Sequence, residues 1–324
     1  MTPRRTSRGS GAARVTDGMD GGVSDRASRL IADDAGRDDV VEGTPALLHA
    51  VAELARLAGD VALGYFGQAR RSELPVSYKA DGSPVTAADR GAEAAAREWI
   101  ERHFRLDGIL GEELGMIRPG ARRRWVLDPI DGTKSFLRGV PLWGTLVAVA
   151  EGEAVLAGAI YCAAAGEMVA AAVGQGCWWN GARCHVSAED DLSRATVLAT
   201  DDRFPVVSAD AGATAAHVRG ERDRVLAGWN RVAERAAIAR TWGDCYGYLM
   251  VATGRAEAMM DAVMAPWDTA ALHPVITEAG GQFTDWGGVP TAFGGSSVAT
   301  NAALGPKVRA LLHVGRKSYL GTKK

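Results

Sequence analysis

The chain has 324 residues, four cysteines and a formal net charge of −2. So small a charge offers no basic field to hold nucleic acid or an anionic membrane, which leaves a small molecule as the expected partner. The cysteines Cys162, Cys177, Cys184 and Cys245 show no C-x-x-C spacing, which weighs against a zinc site or a disulfide scaffold and favours buried, reduced thiols.

Residues 1–43 are rich in Gly, Ser, Arg and Asp and poor in aromatics, the composition of a disordered tail. They hold no signal-like apolar region, and their aspartates argue against a transit peptide. Translation starting at Met19 is a second reading of the same segment. No apolar run reaches the roughly 20 residues that span a bilayer, so a soluble, cytoplasmic protein is expected.

Order should begin with a long helix near Thr44, where Thr44 reads as the N-cap and Pro45 as the first helical residue. A turn through Asp81, Gly82 and Pro84 leads to a second helix capped by Thr86, with Asp89 in its first turn and Trp99, Ile100 and Phe104 on its apolar face. "RRWVLD" and "WGTLVAVAEG" read as buried strands, and "EAVLAGAIYC" and "EMVAAAVGQGCWWNG" as antiparallel neighbours. Residues 44–193 thus form an α+β half. In residues 194–324 the pattern changes to interleaved strands and helices. "ATVLATD", "AAIART" and "AEAMMD" are strands, with helices at 220–235 and at 244–253, the latter ended by Gly254. "PWDTAALHPVITEAGG" reads as one helix with Asp268 at its N-cap and Gly280 and Gly281 past its end. A strand "SSVATN" and a short helix from Pro306 follow.

The chemistry concentrates in "WVLDPIDGTKSF", Trp125 to Phe136. Pro129 cannot continue a ladder, so the chain should turn there, with Asp128 and Asp131 swung to one side and the Ile130 carbonyl freed. Three oxygens in one place suit Mg²⁺, which takes a few carboxylates and accepts phosphate oxygens. The amides of Gly132 and Thr133 would then face an anion. Asp-Gly pairs also serve as plain turn and capping residues, which is the alternative for this segment. Further acids stand at Glu112 and Glu113 in "GEELG" and at Asp268 in "PWDTAA". Two carboxylates about 4 Å apart repel by roughly 4 kcal/mol at an effective dielectric near 20, so gathering them in one pocket calls for divalent ions.

G-E-E, then W-V-L-D-P-I-D-G-T-K-S-F, then W-D-T-A-A with T-E-A-G-G after it, is a sequence of motifs that resembles the lithium-sensitive, magnesium-dependent inositol monophosphatase superfamily. The resemblance runs from about Thr44 to the C-terminal helix. It implies a layered α/β/α/β/α sandwich of the inositol monophosphatase and fructose-bisphosphatase type, and hydrolysis of a phosphate monoester. It also implies that Glu112, Asp128, the Ile130 carbonyl, Asp131 and Asp268 bind two or three Mg²⁺ ions. Glu112 and Thr133 would position a water for in-line attack on phosphorus, and Asp131, Gly132 and Thr133 would hold the phosphate. Asp89 would hydrogen-bond Thr133, and Lys79 would supply a lysine near the metals. A homodimer belongs to the same set of implications.

Two stretches narrow the substrate. "DGTKSFLRGVPLWGTL", with Lys134, and "ARTWGDCYGYLMVATG", with W-G-D-C-Y-G-Y, resemble the histidinol-phosphate phosphatases of this superfamily, which serve histidine biosynthesis. Histidinol phosphate carries an ammonium and an imidazole, so its pocket should offer acids and aromatics. Asp244 and Asp261 are the candidate acids, Lys134 and Arg240 the candidate cations, and Trp242 and Tyr246 either pocket or core aromatics. An inositol or other cyclitol phosphatase is the first alternative, and an inactive binding or regulatory relative the second. The basic run at 121–124 reads as solvated, and His273 as a packed residue.

Overall fold

The computed structural model describes residues 44–79, 82–204 and 215–312. The expected tail and the Asp81 end of the turn lie outside these residues.

Helix α1 (Thr44–Arg70) is followed by the short hairpin β1 (Val76–Tyr78) and β2 (Pro84–Thr86), then helix α2 (Ala87–His103). Thr44 is the first helical residue rather than the cap, a one-residue displacement usual at helix ends. Thr86 does cap α2: its hydroxyl accepts from Ala88 N, and Asp89 reaches back to the Thr86 amide in a capping box. Strands β3 (Gly108–Gly111), β4 (Gly115–Ile117) and β5 (Arg123–Asp131) lead to helix α3 (Thr133–Leu137). Strands β6 (Gly144–Glu151), β7 (Ala154–Cys162), β8 (Glu167–Ala172), β9 (Gly176–Trp179) and β10 (Ala182–Cys184) complete an eight-stranded sheet in the order β10-β9-β8-β7-β6-β5-β3-β4. Pairing is antiparallel except between β3 and β5.

The second sheet has five strands. After β11 (Thr196–Leu198) come helix α4 (Ala215–Ala233), β12 (Ile238–Arg240), helix α5 (Asp244–Ala252) and β13 (Ala258–Asp261). Helices α6 (Pro266–Thr269) and α7 (Leu272–Glu278), strands β14 (Gln282–Thr284) and β15 (Ser297–Thr300) and helix α8 (Gly305–Leu312) follow. The strand order is β12-β11-β13-β15-β14, with β11 parallel to both its neighbours.

Side-chain alternation sorts the core into layers. On β5, Trp125 and Leu127 face α1 and α2 in one buried cluster, while Val126 faces the opposite cluster with Tyr248, Leu272 and Val275 of α5 and α7. Met259 and Ala299 of the second sheet close that middle layer. Their neighbours Ala258, Met260 and Val298 turn to the far face, against Trp229, Val232 and Val308 of α4 and α8. The result is an α/β/α/β/α sandwich, as expected. Among the described residues no helix is long and apolar enough to cross a membrane.

Two local expectations need correction. The single helix expected over "PWDTAALHPVITEAGG" is two, because Pro274 has no N–H to donate to Ala270 and can sit only in the first turn of a new helix. Asp268 consequently stands third in α6, where its carboxylate accepts from Ala265 N at 2.7 Å, and Ala265 occupies the cap. Pro129 does not turn the chain out of the sheet either. It sits in a bulge, with Asp128 opposite Leu146 and Asp131 opposite Gly144, so that three residue steps on β5 span two on β6.

Candidate active site

The bulge aims the carboxylates. Extra length between Asp128 and Asp131 lets both project at the end of β5, while Pro129 O accepts from buried Thr145 Oγ1 (2.8 Å) and Asp128 Oδ1 accepts from Ile130 N (3.0 Å). Asp268 arrives from α6, and one oxygen from each of Asp128, Asp131 and Asp268 lies within 4.8 Å of the others. Asp128 is buried and the other two are half-buried. Burial first, then the neighbouring carboxylates, push Asp128 and Asp131 well above the usual aspartate range. Asp268 is pushed up to about 7 for the same leading reason. Groups so perturbed are held close to like charges and short of water, the condition that a divalent cation relieves.

Glu112 joins from the loop after β3. Its amide donates to Leu127 O (3.2 Å), which carries the parallel pairing one step further beside β5. Its carboxylate lies close enough to hydrogen-bond Asp128 and raise it. Lys79 reaches across to Glu112 (2.7 Å) and Glu113 (2.6 Å). Burial opposes its charge, but the two carboxylates outweigh burial and hold Lys79 above the ordinary lysine value.

Gly132 follows Asp131 with φ +85°, a conformation that favours glycine, and starts α3. A Cβ there would stand 3.0 Å from both Asp244 Oδ2 and Leu142 O. Thr133 Oγ1 donates to Ile130 O at 3.0 Å. The expected bond between Thr133 and Asp89 is therefore not formed, because the hydroxyl has a single proton and gives it to the carbonyl. Asp89 is instead spent on Thr86, accepting from its amide (2.8 Å) and its hydroxyl (2.6 Å).

The proposed substrate acids part company. Asp244, the first residue of α5, has φ +51° and brings its carboxylate against Gly132 and to the Ser135 hydroxyl. Burial and then Asp261 push it up to about 7, with Lys134 opposing. Asp261 is only 8% exposed and accepts from Thr200 N (3.0 Å), Thr200 Oγ1 (3.1 Å) and Tyr248 OH (2.8 Å). All three of these donors belong to its own chain. Lys134 and Arg240 are exposed. Trp242 is 41% exposed, so it is not a core aromatic, whereas Tyr246 is part-buried and donates to Glu167 at 3.0 Å. All four cysteines are free and buried. His273 is held below the usual histidine value by burial, as suits a packed residue.

Three supports were not foreseen. Glu93, fully buried on α2, accepts from Glu113 N (2.7 Å) and Leu114 N (3.1 Å) and pairs with Arg97, so it fixes the loop that carries Glu112. A Cβ on Gly111 would collide with that carboxylate. The available signal was its place in the helical stripe of buried residues Ala88, Asp89, Ala92, Glu93 and Ala96. Thr200 Oγ1 accepts from Asp244 N (2.8 Å), and Cys245 N donates to Asp131 Oδ2 (2.5 Å). Neither contact has a pattern in the sequence.

Residues 46–314 match the inositol monophosphatase family. The chain belongs to that family. It is 38% identical over 266 residues to the histidinol-phosphatase of Chlorobaculum parvum, covering 82% of this chain and 96% of that protein. It is 36% identical to the histidinol-phosphatase of Mycobacterium tuberculosis, covering 75% of this chain and 90% of the relative. Among solved structures, the extragenic suppressor protein suhB from Bartonella henselae superposes with a TM-score of 0.73 at 26% identity, covering 84% of this chain and all of that one. The sandwich architecture of this family member is thus shared with solved relatives, and the acidic cluster accords with the metal dependence of the family.

Proposed function

We propose that this phosphatase is a magnesium-dependent histidinol-phosphatase, hydrolysing L-histidinol phosphate to L-histidinol and phosphate in the cytoplasm, as a homodimer with no nucleic-acid or membrane partner. The observation that carries the substrate is its likeness, at 38% and 36% identity, to histidinol-phosphatases. A carboxylate, Asp244, beside the Gly132 turn accords with it, because the substrate's ammonium needs an anionic partner.

The donor set suits a hard divalent cation, being all oxygen and free of histidine and thiolate. Asp128, Asp131, Asp268, Glu112 and the Ile130 carbonyl would hold two or three Mg²⁺ ions. When bound, such ions supply charge against the phosphoryl oxygens and make water a better nucleophile at neutral pH.

The chain's own groups do the rest. The amides of Gly132 and Thr133 donate to phosphate oxygens, with Asp131 alongside them on the metal side. Thr133 gives its proton to Ile130 O, so its lone pairs are left to accept from the attacking water. Glu112 orients the same water in line with phosphorus and takes its proton. Asp244 meets the ammonium, while exposed Lys134 and Arg240 draw the dianion towards the mouth. Asp89 acts only at a distance, by holding Thr86 at the start of α2.

The test is phosphate release, with Mg²⁺, from L-histidinol phosphate and from myo-inositol 1-phosphate, side by side, with Asp128→Asn as control. Preference for the first substrate, abolished in the variant, is expected. The reverse preference would keep the chemistry and overturn the substrate.

A further inference from the structure

We propose that Asp261 and Thr200 form a positioning relay that sets Asp244 for the ammonium group of the substrate. The proposal rests on the histidinol-phosphate reading and assigns the selectivity of that site to residues that never touch the ligand.

The relay starts with a buried acid. Asp261 accepts from the Thr200 amide, the Thr200 hydroxyl and the Tyr248 hydroxyl. Its own carbonyl accepts from Trp286 Nε1 at 2.8 Å. Ser297, also buried, hydrogen-bonds Tyr248 from the other side. With its side chain buried and three of its roughly four lone-pair sites taken by donors of its own chain, Asp261 is committed inward.

What it does have is control of a proton. A threonine hydroxyl owns one hydrogen, and Asp261 takes it at 3.1 Å. The lone pairs of that oxygen are thereby turned outward, where one accepts from Asp244 N at 2.8 Å. The contact is close as well as polar: a Cβ on Gly243 would collide with Thr200, so the chain before α5 sits directly upon this threonine. Asp244 stands there with φ +51°, in the left-handed region that aspartate tolerates better than most side chains. Thr200 anchors that amide, and the carboxylate of Asp244 is left against Gly132 and Ser135, at the phosphate corner. The acid seven residues before Asp268 thus shapes recognition through an intermediary.

The experiment uses the full chain with Mg²⁺ and two substrates, L-histidinol phosphate and its deamino analogue, which keeps the imidazole and the phosphate and lacks the ammonium. Thr200→Val removes the hydroxyl at nearly constant shape. It should raise KM for histidinol phosphate about tenfold, the scale of one charge-assisted hydrogen bond, with kcat and the kinetics on the analogue unchanged. Thr200→Ser should restore the wild-type KM. Asp261→Asn should reproduce the selective rise, because an amide N–H facing Thr200 would turn its hydroxyl proton away and towards Asp244 N. Thermal melts identify any variant that has lost its fold. If the wild-type enzyme does not prefer histidinol phosphate to the analogue, the substrate reading itself fails. If it does, and Thr200→Val either matches wild type or loses both substrates equally, the relay alone is overturned.

Discussion

Helix α2 carries two Glu–Arg pairs at the same i,i+4 spacing, Glu93–Arg97 and Glu98–Arg102, and burial alone should separate their worth. The Glu93 side chain is 0% and the Arg97 side chain 12% exposed, whereas those of Glu98 and Arg102 are 67% and 65% exposed. Truncating Glu98 to Ala removes a solvated pair, worth about 0.3–0.5 kcal/mol. Truncating Glu93 to Ala leaves Arg97 as a poorly solvated, uncompensated charge, which costs about 3–5 kcal/mol. It also strips the acceptor from the amides of Glu113 and Leu114. The larger loss is a substantial share of the 5–15 kcal/mol by which domains are stable. Urea unfolding of the three proteins, followed by circular dichroism and tryptophan fluorescence, measures both effects. Because the freed loop carries Glu112, calorimetric titration of Mg²⁺ into Glu93→Ala under native conditions should also show weaker binding. Stabilities of Glu93→Ala and Glu98→Ala within 1 kcal/mol of each other would refute the reasoning, because geometry along the helix would then outweigh burial.

The acidic cluster makes the metal-free protein pH-sensitive in a defined direction. Asp268 and Asp244 rise from 3.8 to about 7 on folding, so the folded state binds the extra protons between those values and stability falls as pH rises from about 4 through about 7. Mg²⁺ binds the ionised form, so its stabilisation should be larger at pH 8 than at pH 5.5. Equal shifts of Tm on adding Mg²⁺ to chelator-treated protein at the two pH values would count against the cluster as the metal site. Gly132→Ala should lose most activity and about 1–2 kcal/mol of stability, since its φ of +85° disfavours a Cβ and the added methyl meets Asp244 and Leu142. A Gly132→Ala enzyme with wild-type kcat and Tm would contradict that geometry.

Much of the site was legible because its parts are short in sequence. Asp128, Pro129, Ile130, Asp131 and Gly132 stand within one bulge and one left-handed turn, so residue type and spacing mark them as a group. Thr86 and Asp89 form a capping box of four residues, visible for the same reason. The split at Pro274 was equally local, and a proline inside the expected helix was its available warning. Thr133 was harder, since its hydroxyl could have served Asp89 or Ile130, and only the path of the chain decided for Ile130.

The sequence by itself determined most of the longer elements, the alternation that sorts β5 between two cores and the acids gathered around Pro129, because those depend on periods of two or 3.6 residues and on single-residue backbone limits. Only the tertiary structure decided which distant acids serve which partner. Glu93 supports the Glu112 loop from 20 residues away, Asp261 is consumed by Thr200 across 61, and Cys245 reaches Asp131 across 114. A carboxylate reads the same in a sequence whether it faces a ligand or a buried hydroxyl. Its function is fixed by the donors that packing brings within about 3 Å, and no local pattern encodes them.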